Sequence, residues 1–195
     1  MQRDRRANAE SLLHDVGWAL EHGYPPRELI PMLEKLVGHA PTGSDAALFG
    51  MRELSKLLVE KKPWRAARLA REVLAHVDDA ELWRTLGVAL SMLGHYRAAA
   101  RAYRSALAHD PRCPIATHNL GHLLDVGLGR PERGLHYLSI ALRAAPDDVE
   151  IRASHAHALC RLGRRAEALA SLAEHLPGGR SEALALVERW MSAAD

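Results

Sequence analysis

Residues Glu81–Pro111 read ELWRTLGVALSMLGHYRAAARAYRSALAHDP. Two helical halves meet at Leu93-Gly94-His95-Tyr96, and a proline ends the second. Sliding the chain by 34 residues places Leu86-Gly87 on Leu120-Gly121 and Leu90 on Leu124. Sliding by 35 places Tyr103 on Leu138, Ala106 on Ala141 and Pro111 on Pro146, so one extra residue enters, expected in the turn DVGLGRPE at 125–132. A third copy follows Pro146, with Leu159 in the place of Leu90, Gly163 as the helix stop, then Ala168 and Leu172. A fixed period of this length marks a unit that cannot bury its apolar faces alone and must stack on its neighbours.

Composition agrees with an all-α chain. Apolar residues make up 48% of the 195 residues but aromatics only 5%, and alanine, leucine and arginine dominate. The pattern predicts helices at 8–22, 26–38, 45–60, 64–76, 80–93, 97–109, 114–126, 131–144, 148–162, 165–175 and 181–193. Short loops make consecutive helices antiparallel neighbours. Expected N-caps are Thr42 or Ser44, Asp110, Asp148 and Ser181, and Gly94 and Gly163 are expected to end helices with a left-handed residue.

The segment Trp83-x2-Leu86-Gly87-x2-Leu90, then Ala99-x3-Tyr103, Ala106 and Pro111, resembles the tetratricopeptide repeat, whose pattern is W-x2-L-G-x2-Y, A-x3-F and P. In the second copy Thr117 replaces the tryptophan and Gly134 takes the small position of the second helix; in the third, His155-Ala156 stands where Leu-Gly is expected. The resemblance implies a short right-handed α-solenoid of stacked helix-turn-helix hairpins in one domain. Its expected parts are an N-terminal helical cap at 1–44, a degenerate hairpin at 45–79, repeats at 80–113 and 114–147, a repeat-like hairpin at 148–178 and a capping helix at 179–195. Gly87 and Gly121 would let paired helices approach closely. On the last helix, Leu184, Val187 and Met191 would face inward, with Trp190 finishing the packing.

The resemblance also implies a concave groove lined by the first helix of each pair. Its expected residues are Arg84, Val88, Ser91 and Met92, then His118, Asn119, His122 and Asp125, then Ala153, His157, Cys160 and Arg161, with Leu48, Met51, Ser55 and Leu58 continuing an apolar wall. One subfamily clamps a terminal carboxylate with lysine and asparagine at these positions. Only Asn119 matches here, Val88 replaces an asparagine and Glu150 a lysine, so that role is rejected. The expected partner is a peptide or helix of another protein with apolar anchors and some acidic character, Arg84 and Arg161 pairing its acids.

His118, His122 and His157, with Asp125, are the candidates for a metal, but i,i+4 histidine pairs arise often by chance and no metal or other cofactor is assigned. Catalytic motifs are missing: the glycine-rich GLGRPERG at 127–134 lacks a preceding strand, and neither HExxH nor GxSxG occurs. A non-enzymatic interaction module follows. With 26 basic against 24 acidic residues, no nucleic-acid role is expected, and the Arg97, Arg101 and Arg104 stripe reads as a solvated face. Cys113 and Cys160 read as free thiols; with no apolar run for a membrane span and no secretory leader, a cytoplasmic location is expected. Alanine- and arginine-rich, lysine-poor usage points to a bacterial genome. The reading is an adaptor or chaperone, with a secretion-type chaperone as its narrower form. The rival is a scaffold whose copies assemble through terminal helices, notably through Leu12, Leu13, Val16, Leu29 and Leu33.

Overall fold

A computed structural model describes residues 2–192, with side chains from residue 8. The described residues form eleven α-helices and no strand. They are α1 (Gln2–Glu21), α2 (Pro26–His39), α3 (Asp45–Leu58), α4 (Pro63–Leu74), α5 (Ala80–Met92), α6 (Tyr96–His109), α7 (Pro114–His122), α8 (Pro131–Ala144), α9 (Val149–Arg161), α10 (Arg165–Ala173) and α11 (Gly179–Ser192). None is long and apolar enough to cross a membrane. The chain divides into two compact units, residues 1–93 and 94–195.

In the first unit each helix packs on the next, and α3 also touches α1 and α5. Val16, Leu29, Leu33, Leu36, Leu54 and Leu82 are all but fully buried there. Ser44 caps α3 by accepting from the Ala47 N–H, and Asp79 caps α5 by accepting from the Leu82 N–H at 2.8 Å. Charge ties α3 to the start of α5. Arg52 lies 3.0 Å from Asp79 and 3.2 Å from Glu81, while Lys56 bridges Glu53 and Glu81 at 2.8 and 3.3 Å. Trp83 donates its indole N–H to Asp78 at 2.6 Å.

In the second unit α6 packs on α7, α7 on α8, α8 on α9, and α9 on α10, while α7 also touches α9 and α11 covers both α9 and α10. Leu135, Leu138, Ala156, Leu159 and Leu172 form a core that Ala183 and Val187 of α11 complete. Tyr103 and Leu138, the equivalent bulky positions of two copies, are both buried, as are Ala99 and Ala106. The crossing of α7 and α8 is very close. A Cβ at Gly121 would stand 2.8 Å from Leu138 Cγ, and one at Gly134 2.8 Å from Asp125 Cβ and 2.9 Å from the Gly121 carbonyl. Two residues without side chains are required for this approach.

Several expectations are corrected. The helix expected at 114–126 stops at His122 and continues as a π turn, Leu123–Gly127, in which the Leu128 N–H reaches the Leu123 carbonyl at 2.9 Å. The additional residue of the second copy is therefore taken up within the first helix and not in the loop. Asp110 does not cap α7; the Cys113 sulfur does, accepting from the Ala116 N–H. Ser181 lies inside α11, whose start is held by the Glu182 carboxylate accepting from the Gly178 N–H at 2.8 Å. On α11 Leu184 points outward and Ala183 takes the inward place expected for it, with Val187 buried and Trp190 and Met191 partly so. Gly94 and Gly163 do end their helices at φ 75° and 72°.

Candidate functional site

The first helices of the pairs in the second unit are α7 with its π turn, α9 and α11. Residues at i, i+3 and i+4 share a face, so Ile115, His118 and His122 line one stripe of α7 and Val149, Ala153, His157 and Arg161 one stripe of α9. Ile115 and Val149 lie in the first turns of α7 and α9 and are 51% and 60% exposed.

The stripes are joined by a buried acid. Asp125, on the π turn, has no solvent exposure. Its Oδ2 lies 2.7 Å from His157 Nδ1, and its Oδ1 accepts from Arg161 Nη1 at 3.0 Å. Arg161 also donates to the Asp125 backbone carbonyl. Charge-assisted hydrogen bonds of this kind are the stronger class, and they satisfy a carboxylate whose burial alone would be costly. The π turn is what brings Asp125 inward: its Cβ rests against Gly134, where no side chain intervenes. The imidazole of His157 then meets the Trp190 ring of α11 edge-on at 5.5 Å.

His118 is buried, with Nε2 2.9 Å from Ser154 Oγ on α9, and its ring centre is 6.1 Å from that of the exposed His122. Loss of hydration by burial holds both imidazoles below the usual range, outweighing Glu150 near His118 and Asp125 near His122. Asn119 is half-buried on the same turn. The three candidate imidazoles thus face different partners: His118 a hydroxyl, His157 a carboxylate, His122 the surface. Among the described residues no three His, Cys, Asp or Glu side chains stand where they could hold a metal ion.

The structure therefore brings His118, His122, Asp125, His157 and Arg161 together on one face of the second unit. Arg84, Val88 and Met92 lie on α5 in the first unit, Arg84 3.8 Å from Glu81, Val88 half-buried and Met92 51% exposed. The apolar wall expected upstream is not a surface: Met51, Ser55 and Leu58 are buried, and Ser55 donates to the Ala66 carbonyl at 3.0 Å. Cys160 is likewise buried, its thiol pushed up by that burial. Sequence reasoning missed Ser154, Ile115 and Val149 as members of the face. The signal for the last two was an apolar residue opening each first helix, four residues after Pro111 and three after Pro146.

Paired antiparallel helices, with alternate members sharing one face, place the molecule among the all-α helical-repeat solenoids. Residues 80–113 match the tetratricopeptide repeat family model, and the chain has the helical-repeat fold of such proteins. Solved structures resemble it along nearly its whole length. A MamA crystal structure matches with TM-score 0.71 at 19% identity, covering 94% of each chain. MamA from residue 41 to its end, from Desulfovibrio magneticus RS-1, matches with TM-score 0.71 at 17% identity over 96% of this chain and 97% of that one. PilF from Pseudomonas aeruginosa matches with TM-score 0.69 at 17% identity over 97% of this chain and 86% of that one. At these identities the shared property is the fold. No curated protein matches the sequence.

Proposed function

We propose that the protein is a non-enzymatic interaction module that binds a segment of a partner protein, as an adaptor or chaperone, on the α7–α9–α11 face of its second unit. The observation that carries this reading is the pairing of two exposed apolar residues, Ile115 and Val149, with polar groups farther along the same stripes, His122, His157 and Arg161, and with the Trp190 ring of α11 against His157. Apolar side chains exposed in the first turns of two adjacent first helices offer a bound chain surface to bury. The fixed imidazoles and guanidinium supply donors to a bound chain, and Asp125 keeps two of them in place before the ligand arrives. Affinity would rest on the apolar anchors, and register on the polar end.

The test is recovery of partners on immobilised full-length protein, comparing wild type with the Ile115→Glu, Val149→Glu double variant, followed by calorimetric titration of the recovered protein. A partner that binds the wild type and loses affinity for the double variant supports the reading. Equal affinity for both removes binding from this face.

A second reading, assembly of copies of this chain through the first unit, has its own observation. Trp18 and Trp64 are 48% and 60% exposed there. Against it, Val16, Leu29 and Leu33 of the N-terminal helices are already buried within their own chain.

A further inference from the structure

The other helix layer of the second unit carries a separate recess. Arg104, Leu124, Arg133, His136 and Tyr137, with Glu132, line a cavity of about 350 Å³ between α6 and α8. A second cavity of about 310 Å³ shares Arg104 and Tyr137 with it and extends past Leu107 and Ile140. The two form one trough. Its floor is apolar, with Leu120 and Leu124 buried beneath, while Arg104, Arg133 and His136 stand exposed on its lip. Arg97 and Arg101 continue the cationic row along α6 at helical spacing, and both are exposed.

These arginines stand apart from those that the fold holds in ion pairs. Arg52, Arg65, Arg161, Arg164 and Arg165 each rest on a carboxylate. Among the described residues Arg97, Arg101, Arg104 and Arg133 take part in no ion pair, and Glu132 is the carboxylate among the lining residues. The chain as a whole carries a formal charge of only +2, so this concentration of unpaired guanidinium is local. Guanidinium groups are weakly hydrated and match carboxylates two bonds at a time. A recessed apolar floor, in turn, takes inserted side chains. A phosphate backbone would use the cations and leave the floor empty, and a membrane surface would require apolar groups that protrude.

We propose that the α6–α8 trough docks an acidic amphipathic peptide segment of a partner protein, its carboxylates on Arg104 and Arg133 and its apolar side chains against Tyr137, Leu107 and Ile140. This surface is independent of the α7–α9–α11 face; of the arginine stripe on α6 only Arg104 lines it, while Arg97 and Arg101 are a solvated face.

The experiment selects phage-displayed random dodecapeptides on the full chain and counter-selects on the Arg104→Glu, Arg133→Glu double variant, whose fold is checked by circular dichroism. Synthetic copies of the peptides specific to the wild type are then measured by fluorescence anisotropy, with a short DNA duplex and vesicles of anionic phospholipid as competitors. The expected peptides are net acidic with interspersed apolar residues, weaken with salt, and lose about tenfold or more in affinity on the double variant. They keep their affinity for the Ile115→Glu, Val149→Glu variant and for Arg97→Ala, which lies beyond the trough. Selection of neutral or basic peptides, affinity indifferent to the charge reversal, or binding of DNA or vesicles with no acidic peptide recovered would each overturn the proposal.

Discussion

Asp125 is a single residue on which two others depend. It is fully buried, and both His157 and Arg161 point at it. Removing one member of a buried pair is costly because the other is left without compensation, but Arg161 and His157 are 30% and 28% exposed and can turn to water. Asp125→Ala is therefore expected to cost about 2–3 kcal/mol, read as a lowered urea midpoint at pH 7.5. His155 poses the opposite case. It stands where the repeat pattern wants leucine, its Nδ1 is buried without a partner, and burial, reinforced by Arg164 and Arg152, holds it below the ordinary imidazole value of 6.5. The unfolded chain takes up its proton near 6.5 while the folded chain resists, so this residue and His118 lower stability as pH falls below 6.5. His155→Leu is expected to raise stability by about 1 kcal/mol and to flatten the fall between pH 7.5 and 5.5, measured by urea unfolding at both. Its position as an outlier was legible from the sequence; that it would lie half-buried beside Ser139 at 3.2 Å was not, because the pattern specifies which residue is usual and not what shelters an unusual one.

Most helix boundaries were readable to within two residues, because alanine-rich amphipathic runs broken by proline and left-handed glycine leave little choice, but α1 begins at Gln2, six residues before its expected start. Ser181 and Leu184 did not take their expected places on α11, and two further features escaped. The thiol cap at Cys113 did so because cysteine is an uncommon cap and a nearby aspartate competed for the role. The π turn did so because an extra residue looks the same in a helix as in the following loop when only spacing is known. The π turn makes a test of its own. With Val126 deleted, the helix can close as an ordinary α-helix, and Asp125 loses the position that aims it at α9. In the intact chain Asp125→Ala and Arg161→Ala are expected to couple by about 1–2 kcal/mol in a double-mutant cycle. In the deletion background, with helicity retained by circular dichroism, that coupling should fall to near zero. A coupling unchanged by the deletion would detach the pair from the π turn.

At the scale of the molecule, the repeat period sufficed for the fold, since stacking follows from hairpins that cannot bury both faces. The face was half legible. The offset of one copy on the next expected Asp125, His157 and Arg161 on one groove face; they are in contact, but Asp125 is buried beneath that face. The apolar wall failed because residues at groove-facing offsets in a degenerate hairpin were needed for packing instead, as Met51 and Leu58 show. Assembly is checked by light scattering over a dilution series. The interaction-module reading expects a constant mass of 21.5 kDa, and a mass that climbs with concentration would favour joined copies.

The π turn carries a lesson for anyone rebuilding this chain. A standard 34-residue unit grafted over the 35 residues 114–148 would keep every landmark of the period and still delete the kink that turns an acid toward the following hairpin. The side chains thereby set adrift, His157 and Arg161, belong to a unit the graft never touched. In this protein the geometry of one module is written partly in its predecessor, so the modules cannot be shuffled as interchangeable parts.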